Sequence, residues 1–206
     1  MHRIWLLLPL LFAGCAENPA DSKPSAVVST ATALPTPVAA AGGKKYTISS
    51  DTSKVEWVGS KVTGKHDGGF KKFSGEISVV DGDPTRSSVA VEIDTTSVFA
   101  DDNDLVDHLK TGDFFEVDKF PTAKFVSTGI TKDGDKYQMA GDLELHGTVK
   151  GITFPADITV APDQVTARAE FSINRFDWGI LYKGKADNLI RKEVVIKLDL
   201  NAPATP

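Results

Sequence analysis

The chain has 206 residues, with 28 acidic side chains, 23 basic side chains and a single cysteine, Cys15. Its formal net charge of −5 argues against electrostatic binding of nucleic acid or of anionic lipid surfaces. With one thiol the chain has no internal disulfide and no thiolate metal site, so the fold has to depend on its hydrophobic core.

A short apolar run opens the chain. Ile4 to Phe12 follows one basic residue, Arg3, and is too short to span a membrane, so it is typical of an export signal. The sequence Ala13-Gly14-Cys15 then resembles the bacterial lipobox, in which the signal is cut before a cysteine whose sulfur carries diacylglycerol. We predict a lipoprotein signal peptide over residues 1–14 and a lipid on Cys15. An ordinary secretory signal is the alternative.

The expected location follows from this resemblance. Ala16 stands after the cysteine, which by similarity to Gram-negative lipoproteins implies a protein of the cell envelope, anchored in the outer membrane and facing the periplasm. Removal of Arg3 with the signal takes the formal net charge from −5 to −6.

Residues 15–44 are predicted to be the lipidated cysteine and a disordered tether. The segment is rich in Ala, Pro, Ser and Thr and has no periodic apolar face to bury. A flexible chain of this length would hold the following domain about 30 Å from its anchor.

Residues 45–202 are predicted to be one β-domain. Apolar and polar residues alternate along segments such as 89–94 and 167–174, which is the pattern of half-buried antiparallel strands. Turn signals separate the segments, for example Asp81-Gly82-Asp83-Pro84 and His146-Gly147. Eight or so strands at short spacing favour a sandwich or a closed barrel.

One helix interrupts this pattern. Asp101-Asp102-Asn103-Asp104 precedes Leu105, Val106 and Leu109, and Gly112 follows, so we predict a short helix with acidic residues at its N-terminus and glycine at its end. The acidic run does not have the ligand spacing of a calcium-binding loop, because Gly112 stands where the bidentate glutamate would be required.

The sequence has no nucleophile elbow, zinc-protease motif or phosphate-binding loop. Three histidines follow the predicted signal, namely His66, His108 and His146, and none lies at metal-ligand spacing from another. We predict no catalytic residue, no metal and no cofactor. A metal enzyme that uses these histidines, brought together by folding, is the alternative.

A barrel can enclose a ligand. Small residues lie among the apolar residues of the predicted inner face, and they either leave room for a ligand or accommodate large neighbours. These two interpretations are equally favoured by the residues alone. The small residues in question are Gly59, Gly75, Gly141, Ala167 and Ala169.

Four segments resemble the YceI family of bacterial lipocalin-like proteins. The most characteristic is HLKTGDFFEVDKFPTAKF, from His108 to Phe125, in which a helix leads into a DFF turn and a Pro-Thr-Ala strand entry. VEWVGSKVTGKHDG (55–68), DLELHGTVKGITFPADI (142–158) and FSINRFDWGILY (171–182) resemble other blocks of the family, in the family's order.

The resemblance implies an all-β fold, an extended eight-stranded antiparallel lipocalin-like barrel with one short helix. It also implies non-catalytic binding of a long apolar, amphiphilic ligand of polyisoprenoid, quinone or fatty-acyl type. The alternative is an envelope-stress or structural protein with a filled barrel that acts through a protein partner. A homodimer is compatible with the sequence.

The predicted ligand-binding residues come from the inner face and from the matched blocks. Phe114 and Phe115 either belong to the site or fix the helix to the barrel. Lys61, His66 and Arg175 are the candidates to meet a polar head group, although strand alternation could also direct Lys61 and Arg175 to solvent. The predicted ligand-binding residues are Trp57, Lys61, Phe73, Phe125, Gly141, Leu143, Phe154, Ala169, Phe171, Arg175 and Trp178.

Overall fold

The computed structural model describes residues 17–31 and 42–206. The predicted signal peptide and the lipidation site at Cys15 lie outside the described residues. The described residues form one α-helix, α1 (Asn103–Lys110), and thirteen strands: β1 (Val27–Thr30), β2 (Lys44–Ser49), β3 (Lys54–Lys61), β4 (Gly64–Phe70), β5 (Phe73–Val80), β6 (Asp83–Asp94), β7 (Val98–Ala100), β8 (Thr122–Asp133), β9 (Lys136–Leu145), β10 (Thr148–Val160), β11 (Gln164–Asn174), β12 (Gly184–Lys185) and β13 (Asn188–Pro203).

The predicted all-β, lipocalin-like class is confirmed, but the strand count differs from eight. Eight of the described strands have at least eight residues, and the other five are shorter: β1, β2, β4, β7 and β12. Short strands of this kind carry too few alternating residues to be recognised from periodicity.

The strands form one curled antiparallel sheet in the order β2-β5-β6-β8-β9-β10-β11-β13-β3-β4-β7. Strand β2 at one edge meets the C-terminal end of β13 through a bridge between Tyr46 and Ala204. The backbone N–H of Thr205 also donates to the carbonyl of Lys45 at 2.9 Å. These contacts bring an edge strand back onto the far part of the sheet, which gives the sheet its barrel shape.

The two ends of the barrel differ. At the lower end, where β10 turns into β11, Tyr46 is buried and its hydroxyl donates to the carbonyl of Ala161 at 3.0 Å. Ile48, Val165 and Ala202 are almost fully buried with Tyr46 in the main core. The upper end is covered by α1 and by the segment that follows it.

The helix begins as predicted and ends differently. Asp102 is its N-cap, and the Asp102 side chain accepts a hydrogen bond from the N–H of Leu105 at 3.1 Å. The expected glycine cap is wrong, because Thr111 is the C-cap and its hydroxyl donates to the carbonyl of His108 at 2.8 Å. Leu109 is the buried residue of the helix, and it faces the apolar cluster around Trp57 and Phe114.

Part of the segment expected to be a disordered tether is ordered. Strand β1 pairs antiparallel with β10, from Val27 opposite Thr153 to Thr30 opposite Lys150. On its other side the segment bonds to β11, because the N–H of Ala26 donates to the carbonyl of Ser172 at 2.8 Å. The expectation of a structureless chain is therefore wrong for residues 18–30, and residues 32–41 of the tether lie outside the described residues.

A gap between two strands explains this docking. The ladder between β10 and β11 ends at Asp157 and Arg168, two residues from Pro155, whose nitrogen has no hydrogen to donate. Above this point β10 and β11 separate, and the N-terminal segment satisfies backbone groups of both strands. A sequence poor in apolar residues can dock here because backbone hydrogen bonds, which any sequence can form, supply the contacts.

Candidate functional site

An apolar cavity of ≈ 240 Å³ lies between the two walls of the curled sheet and below α1. Its wall is made almost entirely of aliphatic and aromatic side chains from the inward face of the strands, where alternation places every second residue. The principal wall residues are Val55, Trp57, Ile77, Val91, Phe125, Leu143, Phe154, Ala167, Ala169, Phe171, Ile173, Ile190, Val194, Ile196, Leu198 and Leu200.

The cavity is long and narrow. Along β11 its wall runs from Ala167 to Ile173, which is about 20 Å at roughly 3.3 Å per residue. A volume of ≈ 240 Å³ distributed over that length suits a single extended chain better than a bulky ring system.

Three phenylalanines form a connected part of this wall. Phe154 of β10 and Phe171 of β11 are stacked, with ring centroids 4.1 Å apart. Phe125 of β8 lies 5.9 Å from Phe154, with the ring planes tilted by 53°. Their flat faces give a smooth apolar surface without hydrogen-bonding groups.

The small residues divide into two groups. Gly59, Ala167 and Ala169 line the cavity, as the cavity hypothesis requires. Gly141 does not, because an added Cβ there would lie 2.3 Å from Cζ of Phe125 and 2.7 Å from the carbonyl oxygen of Val126. The space beside Gly75 is also filled, because an added Cβ there would lie 2.3 Å from the carbonyl oxygen of Ala90.

The predicted ligand-binding residues divide in the same way. Seven line the cavity, namely Trp57, Phe125, Leu143, Phe154, Ala169, Phe171 and Arg175, and their contact with a ligand stays a prediction. Four are not part of the cavity wall, namely Lys61, Phe73, Gly141 and Trp178.

Each of these four has a physical reason for its place. Phe73 packs in the main core, and Gly141 lies behind the ring of Phe125. Trp178 is completely buried, and its Nε1 donates to the carbonyl of Leu143 at 3.1 Å. Lys61 lies at the partly exposed end of β3, opposite Gly64.

Arg175 faces the cavity, but its donors are used by the protein. Its guanidinium donates to the carbonyls of Ile180 and Tyr182, both at 2.5 Å, and to that of Arg191 at 3.1 Å. Burial lowers the pKa of Arg175, and the negative charge of Glu193 opposes this effect. The Arg175 side chain therefore holds in place the segment that follows β11. Strand alternation could not predict this role, because all three carbonyls belong to residues outside β11.

Sequence reasoning missed one polar residue of the wall, Arg191, and the donor of a predicted residue, Trp57, which is unpaired among the described residues. Arg191 lines the cavity at the irregular part of β13, where the register with β3 shifts between Ile190 and Val194. Nε1 of Trp57 is buried and has no hydrogen-bond acceptor among the residues that the structure describes. A bulge cannot be recognised from strand alternation, and an unsatisfied donor is visible only once its surroundings are known.

The three histidines of the domain lie apart, each beside a different carboxylate. Nδ1 of His66 is 2.9 Å from Asp101, and Nε2 of His108 is 2.8 Å from Asp113. Within residues 17–31 and 42–206, no group of three or more His, Cys, Asp or Glu side chains could hold a metal ion.

The pKa of the Asp101 carboxylate is lowered. Burial raises the pKa of Asp101, but hydrogen bonds from His66 and from the N–H of Asp67 outweigh burial and hold the pKa below its ordinary value. His66 is thereby placed on the outer surface, where it does not contact the cavity.

Phe114 and Phe115 fix the segment after α1 to the barrel and line the cavity, and their contact with a ligand stays a prediction. Both line the cavity at its upper end, and Phe114 also packs edge-on against Tyr182, with ring centroids 5.5 Å apart. Phe115 packs edge-on against Phe70 of β4 at 5.5 Å. The two rings therefore lie between the segment after α1 and the upper end of the cavity.

Residues 46–202 match the model of the YceI-like domain. The chain belongs to the YceI-like family. It is 30% identical over 137 residues to a UPF0312 protein of Pseudomonas putida, which covers 63% of this chain and 71% of the relative. It is 38% identical over 91 residues to the protein YceI of Escherichia coli O157:H7, which covers 44% of this chain and 48% of that relative.

Solved structures have the same fold. BcnA of Burkholderia cenocepacia superposes with a TM-score of 0.68 at 26% identity, covering 75% of this chain and 98% of BcnA. A polyisoprenoid binding domain from Saccharophagus degradans, implicated in plant cell wall breakdown, gives 0.64 at 16% identity and covers 79% of this chain and 99% of that domain. In the part of the chain that the structure describes, no helix has both the length and the apolar character needed to cross a membrane.

Proposed function

We propose that this protein binds one amphiphilic molecule with a long apolar tail, of the polyisoprenoid, quinone or fatty-acyl type, and performs no reaction on it. The observation that carries the proposal is the narrow apolar cavity, whose wall extends about 20 Å along β11. For comparison, the hydrocarbon core of a whole bilayer is about 30 Å thick, so the cavity suits a chain longer than one lipid leaflet.

Affinity comes mainly from the tail. Each methylene transferred from water to such a wall contributes about 0.8 kcal/mol, so a long chain binds well without specific polar contacts. Binding should therefore change little with salt concentration. The similarity to a domain that binds polyisoprenoid supports this class of ligand.

The head group lies at the upper end in this proposal. Arg191 lines the cavity there, while Lys61 and His66 lie away from the wall. Trp57 supplies a second polar atom, because its buried Nε1 has no acceptor among the described residues and an unpaired buried donor is unfavourable. A quinone, hydroxyl or phosphate oxygen would accept a hydrogen bond from it.

This role of Trp57 has its own test. Trp57→Phe keeps an aromatic ring and removes the donor, so it should weaken binding of an oxygen-bearing prenol by roughly 5-fold, since one hydrogen bond contributes about 1 kcal/mol. Binding of a plain hydrocarbon of equal length should not change. An equal loss for both ligands would show that the substitution acts through packing alone.

We further propose that the protein is anchored at the cell envelope through a lipid on Cys15, in the outer membrane and facing the periplasm. Asn18 already caps a docked 3₁₀ turn, Pro19–Ser22, so only two residues separate Cys15 from Asn18, at most about 10 Å of chain. The domain would then lie close to the membrane surface and not about 30 Å away.

Cys15→Ser should release the folded protein into the soluble fraction or block its processing, whereas retention in salt-washed membranes would contradict the anchor.

Native mass spectrometry of the protein purified from its own membranes tests the ligand proposal. We expect an added mass that denaturation releases and that fragments as a prenyl or acyl chain. An unoccupied barrel that also takes up no long-chain prenol in detergent would instead favour a structural role. A bound metal and no lipid would favour the histidine-based alternative.

A further inference from the structure

The hairpin formed by β12 and the start of β13 has two different apolar faces. Ile180 and Ile190 line the cavity, whereas their chain neighbours Leu181 and Leu189 are 58% and 46% exposed. Only one other large hydrophobic residue is exposed in the described part of the chain. The hairpin is therefore apolar both on the side that faces the cavity and on the side that faces solvent.

Two exposed lysines accompany this exposed apolar face. The segment 181–193 contains four basic and two acidic residues, and Lys192 pairs with Glu193, so its formal charge is +2, in contrast to −5 for the whole chain. Lys183 and Lys185 are exposed, and neither takes part in an ion pair with the other described residues. Exposed leucines beside unpaired lysines are the combination that binds the interface of an anionic bilayer.

The hairpin is held firmly on the barrel. The N–H of Ile190 donates to the carbonyl of Lys183 at 2.9 Å, and the N–H of Val62 donates to the carbonyl of Leu189 at 3.0 Å. Thr63 donates to the side chain of Asn188 at 2.7 Å. These bonds hold the hairpin in place with Leu189 exposed, as insertion into a membrane surface requires.

We propose that the hairpin Leu181–Lys192 docks on the surface of an anionic lipid bilayer, with Leu181 and Leu189 inserted and Lys183 and Lys185 among the head groups. The upper end of the cavity then lies against the membrane, and a chain passes between bilayer and cavity without crossing water. This rests on the proposed function in one respect, namely that the cavity takes a lipid. The net charge of the whole chain argues against binding to anionic lipids, but this one surface has the opposite charge.

A single fluorescent label tests the docking. Cys15 is the only cysteine, so the full chain with Cys15→Ser and Leu189→Cys carries one thiol for an environment-sensitive dye. The control carries Cys15→Ser and Val27→Cys, since Val27 is 67% exposed on a different strand. Both are mixed with vesicles of phosphatidylcholine, with and without phosphatidylglycerol.

We expect the emission of the label at position 189 to move to shorter wavelength with anionic vesicles only, while the label at position 27 does not respond. Adding Lys183→Glu and Lys185→Glu should lower the vesicle-bound fraction at least fivefold. No shift at position 189, equal shifts at both positions, or equal shifts with both kinds of vesicle would overturn the proposal.

The same charge-reversed variant separates this proposal from the function itself. In detergent, native mass spectrometry should find that it takes up added long-chain prenol as well as the unaltered chain does. If the unaltered chain docks on vesicles but takes up no prenol, the docking proposal stands and the lipid-binding function is rejected.

Discussion

Two parts of the barrel wall contain small residues on the inner face, and they have opposite consequences. On β9, Gly141 is covered by the ring of Phe125 from β8, so the wall there is filled. On β11, Ala167 and Ala169 face the cavity. A small residue leaves space for a ligand only where no side chain of a neighbouring strand occupies that space.

The largest expected difference between the two walls is in stability. Gly141→Leu would force atoms into the ring of Phe125 and into the carbonyl of Val126, which is backbone and cannot move away. We expect it to lower the free energy of unfolding by at least about 3 kcal/mol. Ala169→Leu adds the same kind of side chain beside empty space and should change that free energy by less than about 1 kcal/mol. Urea unfolding of both variants measures this, and equal losses would show that the walls do not differ.

A double-mutant cycle sharpens the comparison. Gly141→Ala alone should cost about 2 kcal/mol, because its Cβ would lie 2.3 Å from Cζ of Phe125. With Phe125→Leu in the same chain, the two substitutions should together cost about 1 kcal/mol less than the sum of their separate effects. The relief is partial because the Val126 carbonyl remains. Additive effects would mean that the Phe125 ring is not what fills the space at Gly141.

The smallest expected effect concerns the third part of the wall, where the N-terminal segment joins β10 to β11. Val28 packs against the core, so Val28→Ser should weaken the docking by about 1 kcal/mol. The amide of Ser172, which donates to the carbonyl of Pro24, should then exchange its hydrogen several times faster. Val27→Ser, at an exposed position of the same strand, is the matched control and should leave that exchange unchanged.

The sequence predicts most of the fold because the long strands are periodic. Alternation such as that of β11 fixes which residues face inward, and family resemblance supplies the order of the strands. The docked N-terminal segment could not be predicted in this way, since its contacts are mainly backbone hydrogen bonds that do not depend on side-chain pattern. Its Ala- and Ser-rich composition resembles that of a linker.

The site was predicted less completely, for a related reason. Phe154, Ala169 and Phe171 face the cavity because strand alternation determines their direction. Gly141 and Trp178 were misplaced because their surroundings depend on residues of other strands, the Phe125 ring in one case and the Leu143 carbonyl in the other. Alternation gives the face of a strand, but only the packing of several strands decides whether a position on that face is empty.

The central claim is that the space beside β11 holds the ligand's chain, and the comparison of Ala169→Leu with Glu170→Leu tests it most directly. Ala169 lines the cavity, whereas Glu170 forms a half-exposed ion pair with Lys23 outside it, whose loss should cost at most about 1 kcal/mol. Three added carbons at position 169 displace about three methylenes of the ligand, so prenol affinity should fall roughly 10- to 100-fold in Ala169→Leu. Glu170→Leu should bind as the unaltered chain does. Equal affinities of the two folded variants would contradict the internal cavity as the binding site.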